Sequence, residues 1–116
     1  MRPPVFTAAV IVSWLSACSP ASPGVKTPIP ANANEVVIAE YKFVPPILTI
    51  AVGTTVTWIN HDIAPHTATH RSFGDEPFDS GTLGNLAVYS HTFKTAGSYD
   101  YLCVLHQGMI GTIVVH

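Results

Sequence analysis

The fold is decided by the stretch GSYDYLCVLHQGMIGTIVV, residues 97–115. In its first part, Tyr99, Tyr101 and Cys103 alternate with their neighbours, so an extended chain would place all three on one face. The run Ile110–Val115 is rich in β-branched residues and ends the stretch. The pattern therefore predicts two strands joined by a short loop that lies between Cys103 and Ile110.

The rest of the chain from residue 35 onward repeats this pattern. Short runs rich in Val, Ile and Thr lie between Gly, Pro or Asn, and no window of about a dozen residues shows helical periodicity. Trp58 has the parity of a core residue. These features predict an all-β domain, a small two-sheet sandwich. The predicted strands are Glu35–Phe43, Leu48–Val52, Thr55–Asn60, His66–His70, Ala87–Phe93, Ser98–Cys103 and Ile110–Val115.

Three potential metal ligands follow one another in the predicted loop as Cys-x-x-His-x-x-Met. They are Cys103, His106 and Met109, and Met109 is the only methionine after residue 1. Thiolate, imidazole and thioether suit copper in both of its oxidation states, and a second imidazole would complete a blue-copper centre. His66 is the best candidate, because it begins a predicted strand after Ile63-Ala64-Pro65. The alternative is that Cys103 and Met109 only fill the core.

The remaining histidines give weaker signals. His61 and His70 flank His66 and could form an auxiliary copper-loading site, although loop or surface positions explain them more simply. His91 has the parity of Tyr89 and Phe93, which indicates a partly buried structural residue. His116 is terminal, and we expect it to be solvated.

The N-terminal third does not resemble the rest. Residues 1–17 carry one charge and an apolar run of eleven residues, too short to span a bilayer, which is typical of a secretion signal. The end of this segment, Leu15-Ser16-Ala17-Cys18, resembles the cleavage site of bacterial lipoproteins, in which the cysteine is lipidated. Residues 18–34 are rich in Pro, Ala and Ser and predict a disordered, lipid-anchored linker. The predicted folded domain covers residues 35–116.

Composition restricts the partners and the compartment. The net charge is −2 and no basic run exists, so we expect no nucleic-acid partner. Two cysteines are too few for a disulfide framework. If Cys18 carries lipid, Cys103 is a lone thiol in an oxidising compartment. We therefore expect a lipoprotein of the bacterial cell envelope that faces the periplasm, with a soluble periplasmic protein as the alternative.

The domain resembles the cupredoxins, the type 1 blue copper proteins of the plastocyanin, pseudoazurin and amicyanin group. The resemblance covers nearly all of residues 35–116, and the spacing in the Cys–His–Met loop matches the short amicyanin loop. The segments that carry it are Tyr41-Lys42-Phe43-Val44-Pro45, Gly53 with Val56–Asn60, Pro65-His66-Thr67, Phe78-Asp79-Ser80-Gly81, Gly97–Cys103 and Gly111-Thr112.

The resemblance implies a Greek-key sandwich that binds one type 1 copper ion through His66, Cys103, His106 and Met109. It also implies a one-electron carrier, not an enzyme, that acts as a monomer. Redox partners would dock transiently near His106. The surrounding apolar patch would be drawn from Ile63, Ala64, Pro65, Leu83, Leu86, Leu105 and Met109.

Two residues depart from the usual pattern of the family. Leu105 stands where proline is frequent, and Thr67 stands where asparagine is frequent. The second position matters because hydrogen bonding at the sulfur tunes the reduction potential.

Two other functions use the same residues. Copper capture or delivery in the periplasm is the main alternative, but no methionine-rich tract supports it. A copper enzyme would need additional ligands, and the sequence has no His-x-His motif.

Overall fold

The structure is a computed structural model, and it describes residues 1, 3–5, 30, 32–72 and 76–116. Within these ranges the chain forms eight β-strands and no helix. No helix that could span a membrane occurs among the described residues. The strands are β1 (Glu35–Ala39), β2 (Lys42–Val44), β3 (Ile47–Ile50), β4 (Thr55–Asn60), β5 (Thr69–His70), β6 (Val88–Thr92), β7 (Gly97–Leu102) and β8 (Ile110–Val115).

The strands form two four-stranded sheets, in the orders β2-β1-β4-β6 and β3-β8-β7-β5. One parallel pair lies in each sheet, β1 with β4 and β3 with β8, and the other neighbours are antiparallel. Parallel neighbours that are distant in sequence require the chain to cross between the sheets. The predicted all-β sandwich is therefore confirmed.

The core lies where the two sheets face each other. Trp58 of β4 and Tyr101 of β7 are both fully buried, and their rings meet edge to face with centroids 5.5 Å apart. Val56, Trp58 and Asn60 are all buried, as the alternation in β4 predicted. Burial of large aromatic side chains supplies much of the driving force for a domain of this size.

The first predicted strand is two strands. Glu40 and Tyr41 adopt φ values of 53° and 59°, and these positive values at both central residues turn the chain back on itself. β2 then pairs antiparallel with β1, with Ala39 opposite Lys42. The sequence contains no Gly, Asn or Pro at this point, so the break carries none of the usual turn signals.

The predicted strand His66–His70 is also shorter than expected. Only Thr69 and His70 form β5, while His66 makes an isolated bridge with Leu83. In that bridge His66 N–H donates to Leu83 O (3.1 Å) and Leu83 N–H donates to His66 O (2.7 Å). The bridge fixes the backbone of His66 outside the regular sheet.

The directions of the strands show which features lie at the same end of the domain. β1 leads from Glu35 to the turn at Glu40-Tyr41, and β7 leads to Cys103 and the loop that follows it. We call this end, formed by residues 40–41, 61–66 and 103–109, the loop end. β8 then runs away from the loop end and finishes at Val115, and His116 N–H donates to Ile50 O.

Candidate metal centre

The four ligand positions predicted from the sequence all lie at the loop end. His66 is fully buried in the segment after β4, and Cys103 (3% exposed) directly follows β7. His106 lies in the loop between β7 and β8 and is half-buried. Met109 is buried and directly precedes β8. The other predicted modification site, Cys18, lies outside the described residues.

Three donor atoms converge at this end. The Cys103 Sγ atom lies 3.8 Å from His66 Nδ1 and 3.5 Å from His106 Nδ1. All three ligand atoms lie within 4.8 Å of one another. Among the described residues, this is the one group of three or more His, Cys, Asp or Glu side chains with metal-binding geometry.

Backbone hydrogen bonds close the ligand loop around this point. Cys103 N–H donates to Met109 O (3.0 Å), and Met109 N–H donates to His106 O (3.5 Å). Gly108 has a φ of 81°, a value that glycine adopts without strain, and it allows the tight return of the chain. The loop thus brings Met109 back beside Cys103 as β8 begins.

The Cys103 sulfur has a well-defined partner in Thr67. Thr67 N–H donates to Sγ at 3.3 Å, and the Thr67 hydroxyl oxygen accepts a hydrogen bond from Val104 N–H at 2.9 Å. Thr69 Oγ1 donates to the same hydroxyl oxygen at 3.0 Å. The residue that departs from the usual asparagine therefore still braces the ligand loop, through its hydroxyl.

Sequence reasoning missed the role of Asp62. Its carboxylate oxygen Oδ2 lies 2.8 Å from Nε2 of His66, the ring nitrogen that faces away from the cysteine. Burial alone would raise the pKa of Asp62, but hydrogen bonds from the backbone N–H groups of Tyr41 and Glu40 and from His66 outweigh it, so the pKa is below its ordinary value. Nothing in the sequence shows that Asp62 folds back onto His66.

Tyr41 is a second residue that the sequence did not single out in the site. Its ring meets the rings of His66 and His106 edge to face, with centroids 5.1 Å and 4.8 Å away. Tyr41 is 53% exposed, so it contacts the two imidazoles while part of the residue remains in solvent. The motif Tyr41-Lys42-Phe43 contributed to the family resemblance, but its contact with the ligands depends on the turn between β1 and β2.

Only some of the residues predicted for the apolar patch are exposed. Ile63, Leu86 and Leu105 are 93%, 62% and 48% exposed, so they are available at the surface. Leu83 and Met109 are buried and belong to the core instead, because Leu83 pairs with His66 and Met109 closes the ligand loop.

The other histidines are not part of the centre. His70 lies in β5 and stacks on Phe78, with ring centroids 5.3 Å apart. His61 and His116 are exposed, as expected for solvated residues. His91 packs against Phe78 and Phe93, which confirms the prediction of a partly buried structural residue.

The donor chemistry fits copper. One thiolate and two imidazoles meet at a buried point, and a thioether lies at the end of the same loop. Soft sulfur and intermediate nitrogen donors in this combination suit both Cu(I) and Cu(II), whereas a structural zinc site would be expected to have four strong ligands. The sandwich and this site together define the class of type 1 copper proteins, the cupredoxins.

Comparison with known proteins agrees with this assignment to the cupredoxins. The family of copper-binding proteins described as the plastocyanin/azurin family matches residues 31–116, and the chain belongs to that family. The chain therefore binds one copper ion, as a member of that family. The chain is 36% identical to amicyanin from Paracoccus versutus over 89 residues, which is 75% of this chain and 67% of that protein.

Solved structures give the same result. The Cu(I) form of an amicyanin variant superposes with a TM-score of 0.66 at 39% identity, over 71% of this chain and 80% of that one. A copper-containing nitrite reductase from Thermus scotoductus superposes with a TM-score of 0.68 at 34% identity. That match covers 84% of this chain but only 25% of the enzyme.

Proposed function

We propose that the protein is a one-electron carrier that holds its copper ion through His66, Cys103, His106 and Met109. The observation that carries this proposal is the convergence of two imidazole nitrogens and one thiolate within 4.8 Å at a buried point. Copper bound there would supply a centre that cycles between Cu(I) and Cu(II). Met109 would supply the thioether donor in this assignment, since it lies at the end of the loop that carries Cys103 and His106.

The surrounding residues would hold the ligands in place when bound copper changes its oxidation state. The backbone bridge to Leu83 fixes His66, and Thr67 holds the Cys103 sulfur and the loop backbone. A frame that moves little between the two states keeps the rearrangement small during electron transfer. His106 is only half-buried, so its ring would provide the route for electrons to a partner.

Redox partners would dock transiently around His106. Ile63, Leu86 and Leu105 supply exposed apolar side chains at or near the loop end. A small apolar surface favours brief encounters, which a mobile carrier needs in order to release its partner after each transfer. We propose that the protein acts as a monomer in these encounters.

The experiment is a copper titration of the purified protein and of two cysteine variants. Wild type and Cys18→Ser should both develop an intense blue thiolate-to-copper absorption band and a reversible one-electron wave. Cys103→Ser should lose at least about 90% of the band while its circular dichroism still indicates the strands, because the charge-transfer donor is gone. A colourless wild type would refute the carrier function.

Copper delivery remains the second candidate from the sequence, and it needs a path for ligand exchange. His61 is exposed, whereas the ring of His70 stacks on Phe78, an arrangement that does not favour a shared loading site. Incubation of the copper-loaded protein with a chelating acceptor distinguishes the two functions. Retention of the blue band over many electron-transfer cycles favours the carrier, whereas stoichiometric metal transfer favours delivery.

We propose a carrier rather than an enzyme, although the fold also occurs within a copper-containing nitrite reductase. The support is that the described residues contain a single cluster of metal donors, formed by His66, Cys103 and His106. A blue copper centre of this kind transfers electrons without binding a substrate at the metal. The reduced protein should stay colourless when nitrite is added. Reoxidation by nitrite alone would indicate an enzyme.

We propose further that Cys18 is lipidated and that the protein is held at the membrane of a bacterial cell envelope, facing the periplasm. The support is the sequence Leu15-Ser16-Ala17-Cys18 after a short apolar run. In cell fractionation, the wild-type protein should sediment with membranes. A wild type found entirely in the soluble periplasmic fraction would instead support the unanchored alternative.

A further inference from the structure

Asp62 brings together two parts of the site that are distant in sequence. Its Oδ1 accepts a hydrogen bond from Glu40 N–H (2.8 Å), and its Oδ2 accepts one from Tyr41 N–H (3.0 Å). The same Oδ2 lies 2.8 Å from His66 Nε2. One carboxylate therefore holds both the β1–β2 turn and the buried imidazole.

The contact with His66 fixes which ring nitrogen carries the proton. Nδ1 of His66 points toward Cys103 Sγ and must be unprotonated to bind a metal ion. Nε2 then carries the hydrogen and donates it to the Asp62 carboxylate. A carboxylate in this position orients the ring and makes the imidazole a stronger donor to the metal.

Through its hydrogen bonds to the β1–β2 turn, Asp62 also influences the second imidazole, that of His106. Glu40 and Tyr41 both have left-handed backbone conformations, which are unfavourable for residues other than glycine. Two hydrogen bonds to a single carboxylate offset part of that cost. The turn so held places the Tyr41 ring against His66 and His106 at once.

We propose that Asp62 is a positioning residue that favours Cu(II) over Cu(I) and thereby lowers the reduction potential of the centre. This inference rests on the proposed carrier function. The imidazole bound to Cu(II) carries more positive charge than the one bound to Cu(I), so its hydrogen bond to a carboxylate is stronger in the oxidised state. Loss of the carboxylate should therefore destabilise the oxidised state more than the reduced one.

The test compares the reduction potentials of Asp62→Asn and Glu40→Gln with that of the wild type. Both substitutions remove one negative charge from the same corner of the molecule, but the Glu40 side chain is exposed and only its backbone contacts Asp62. Asp62→Asn should reduce the ratio of Cu(II) to Cu(I) affinity about tenfold, equivalent to a rise of ~59 mV. Glu40→Gln should change it less than about threefold.

Equal shifts in the two variants would mean that only net charge matters, and no shift in Asp62→Asn would mean that the contact has no influence on the copper. Either result overturns the inference while leaving the carrier function intact, because the wild type would still be blue and redox-active. A colourless wild type would refute the carrier function itself.

A second measurement does not depend on a folded variant. In the diamagnetic Cu(I) protein, nitrogen-15 NMR should show that the proton on His66 Nε2 is hydrogen-bonded and exchanges at least about tenfold more slowly than the Nε2 proton of His106. Equal exchange rates for the two imidazoles would overturn the inference even if Asp62→Asn failed to fold.

Discussion

Thr67 supports the ligand loop through two separate groups. Its N–H donates to the Cys103 sulfur, whereas its hydroxyl oxygen accepts from Val104 N–H. The first contact belongs to the backbone and survives any ordinary substitution. The second depends on the side chain, so the two contributions can be separated by mutation.

Thr67→Val should lower the free energy of unfolding by about 1–3 kcal/mol, because the part-buried Val104 N–H would lose its acceptor in a side chain of nearly equal shape. The blue band should persist. Urea unfolding measures the change, with Thr57→Val as the control. The Thr57 hydroxyl pairs with Ser90 at an exposed position, and its loss should cost no more than ~0.5 kcal/mol. Equal losses in both variants would contradict this role of Thr67.

Met109→Leu should retain copper and blue colour but raise the reduction potential, because a weak thioether donor favours Cu(II) slightly. A tenfold change in the ratio of the two copper affinities corresponds to ~59 mV. Voltammetry and the visible spectrum provide the measurement. If neither the visible spectrum nor the reduction potential changes, Met109 does not bind the copper ion.

Residue identity explains which ligands were predictable. Cys103, His106 and Met109 are close in sequence, and His66 was selected because it begins a predicted strand. Asp62 and Tyr41 were not found, because each acts through a contact that only the folded chain creates. Tyr41 and Asp62 are 21 positions apart in the sequence, and no local pattern links them.

At the scale of elements, the β7–β8 pair determines the geometry of the ligand loop. Tyr101 pairs directly with Gly111, and the buried Tyr101 ring lies against the Gly111 backbone. A Cβ atom at position 111 would overlap that ring. Glycine is needed here because of close approach, since Tyr101 is packed on its other sides by Trp58 and Phe43.

Gly111→Ala should therefore destabilise the protein by about 1–3 kcal/mol or more. Thermal unfolding of the variant measures this. Gly84→Ala is the matched control, because no atom lies within 4 Å of a Cβ placed there. Its melting temperature should be close to that of the wild type, and a similar loss in both variants would contradict the argument.

The pattern of alternation predicted most strands well but could not locate the turn between β1 and β2. Turns are predictable when the local residues favour them, as Gly53 does between β3 and β4. Glu40 and Tyr41 do not favour a left-handed conformation. Their turn is held by a carboxylate from another part of the chain, so it is a tertiary feature without a local signal.

For the whole molecule, His91 links folding to pH. Burial lowers its pKa below the ordinary value of 6.5; the Glu76 carboxylate opposes this effect, and His70 and Lys94 add to it. The unfolded chain therefore binds a proton at a higher pH than the folded chain does. The stability contributed by neutral His91 is complete above pH 6.5 and is lost as the pH falls below that value.

The free energy of unfolding of the copper-free protein should accordingly decrease between about pH 7.5 and about pH 5.5. In His91→Phe, the decrease should be smaller, because the titrating group is gone while the contacts with Phe78 and Phe93 can be kept. Denaturant titrations at several pH values provide the measurement. Identical pH dependence in the two proteins would exclude His91 as a source of the effect.

Strand direction also determines how the domain can be attached to something else. The chain enters β1 at Glu35 and leaves β8 at Val115, and both points lie at strand ends directed away from the loop end. The residues between Cys18 and Glu35 can extend over at most roughly 60 Å. A domain held through that segment would be attached on the side opposite the loop end, which would leave His106 accessible from the aqueous space. The same connection would confine the carrier to a thin layer above the lipid, where it would exchange electrons with partners within reach of its tether.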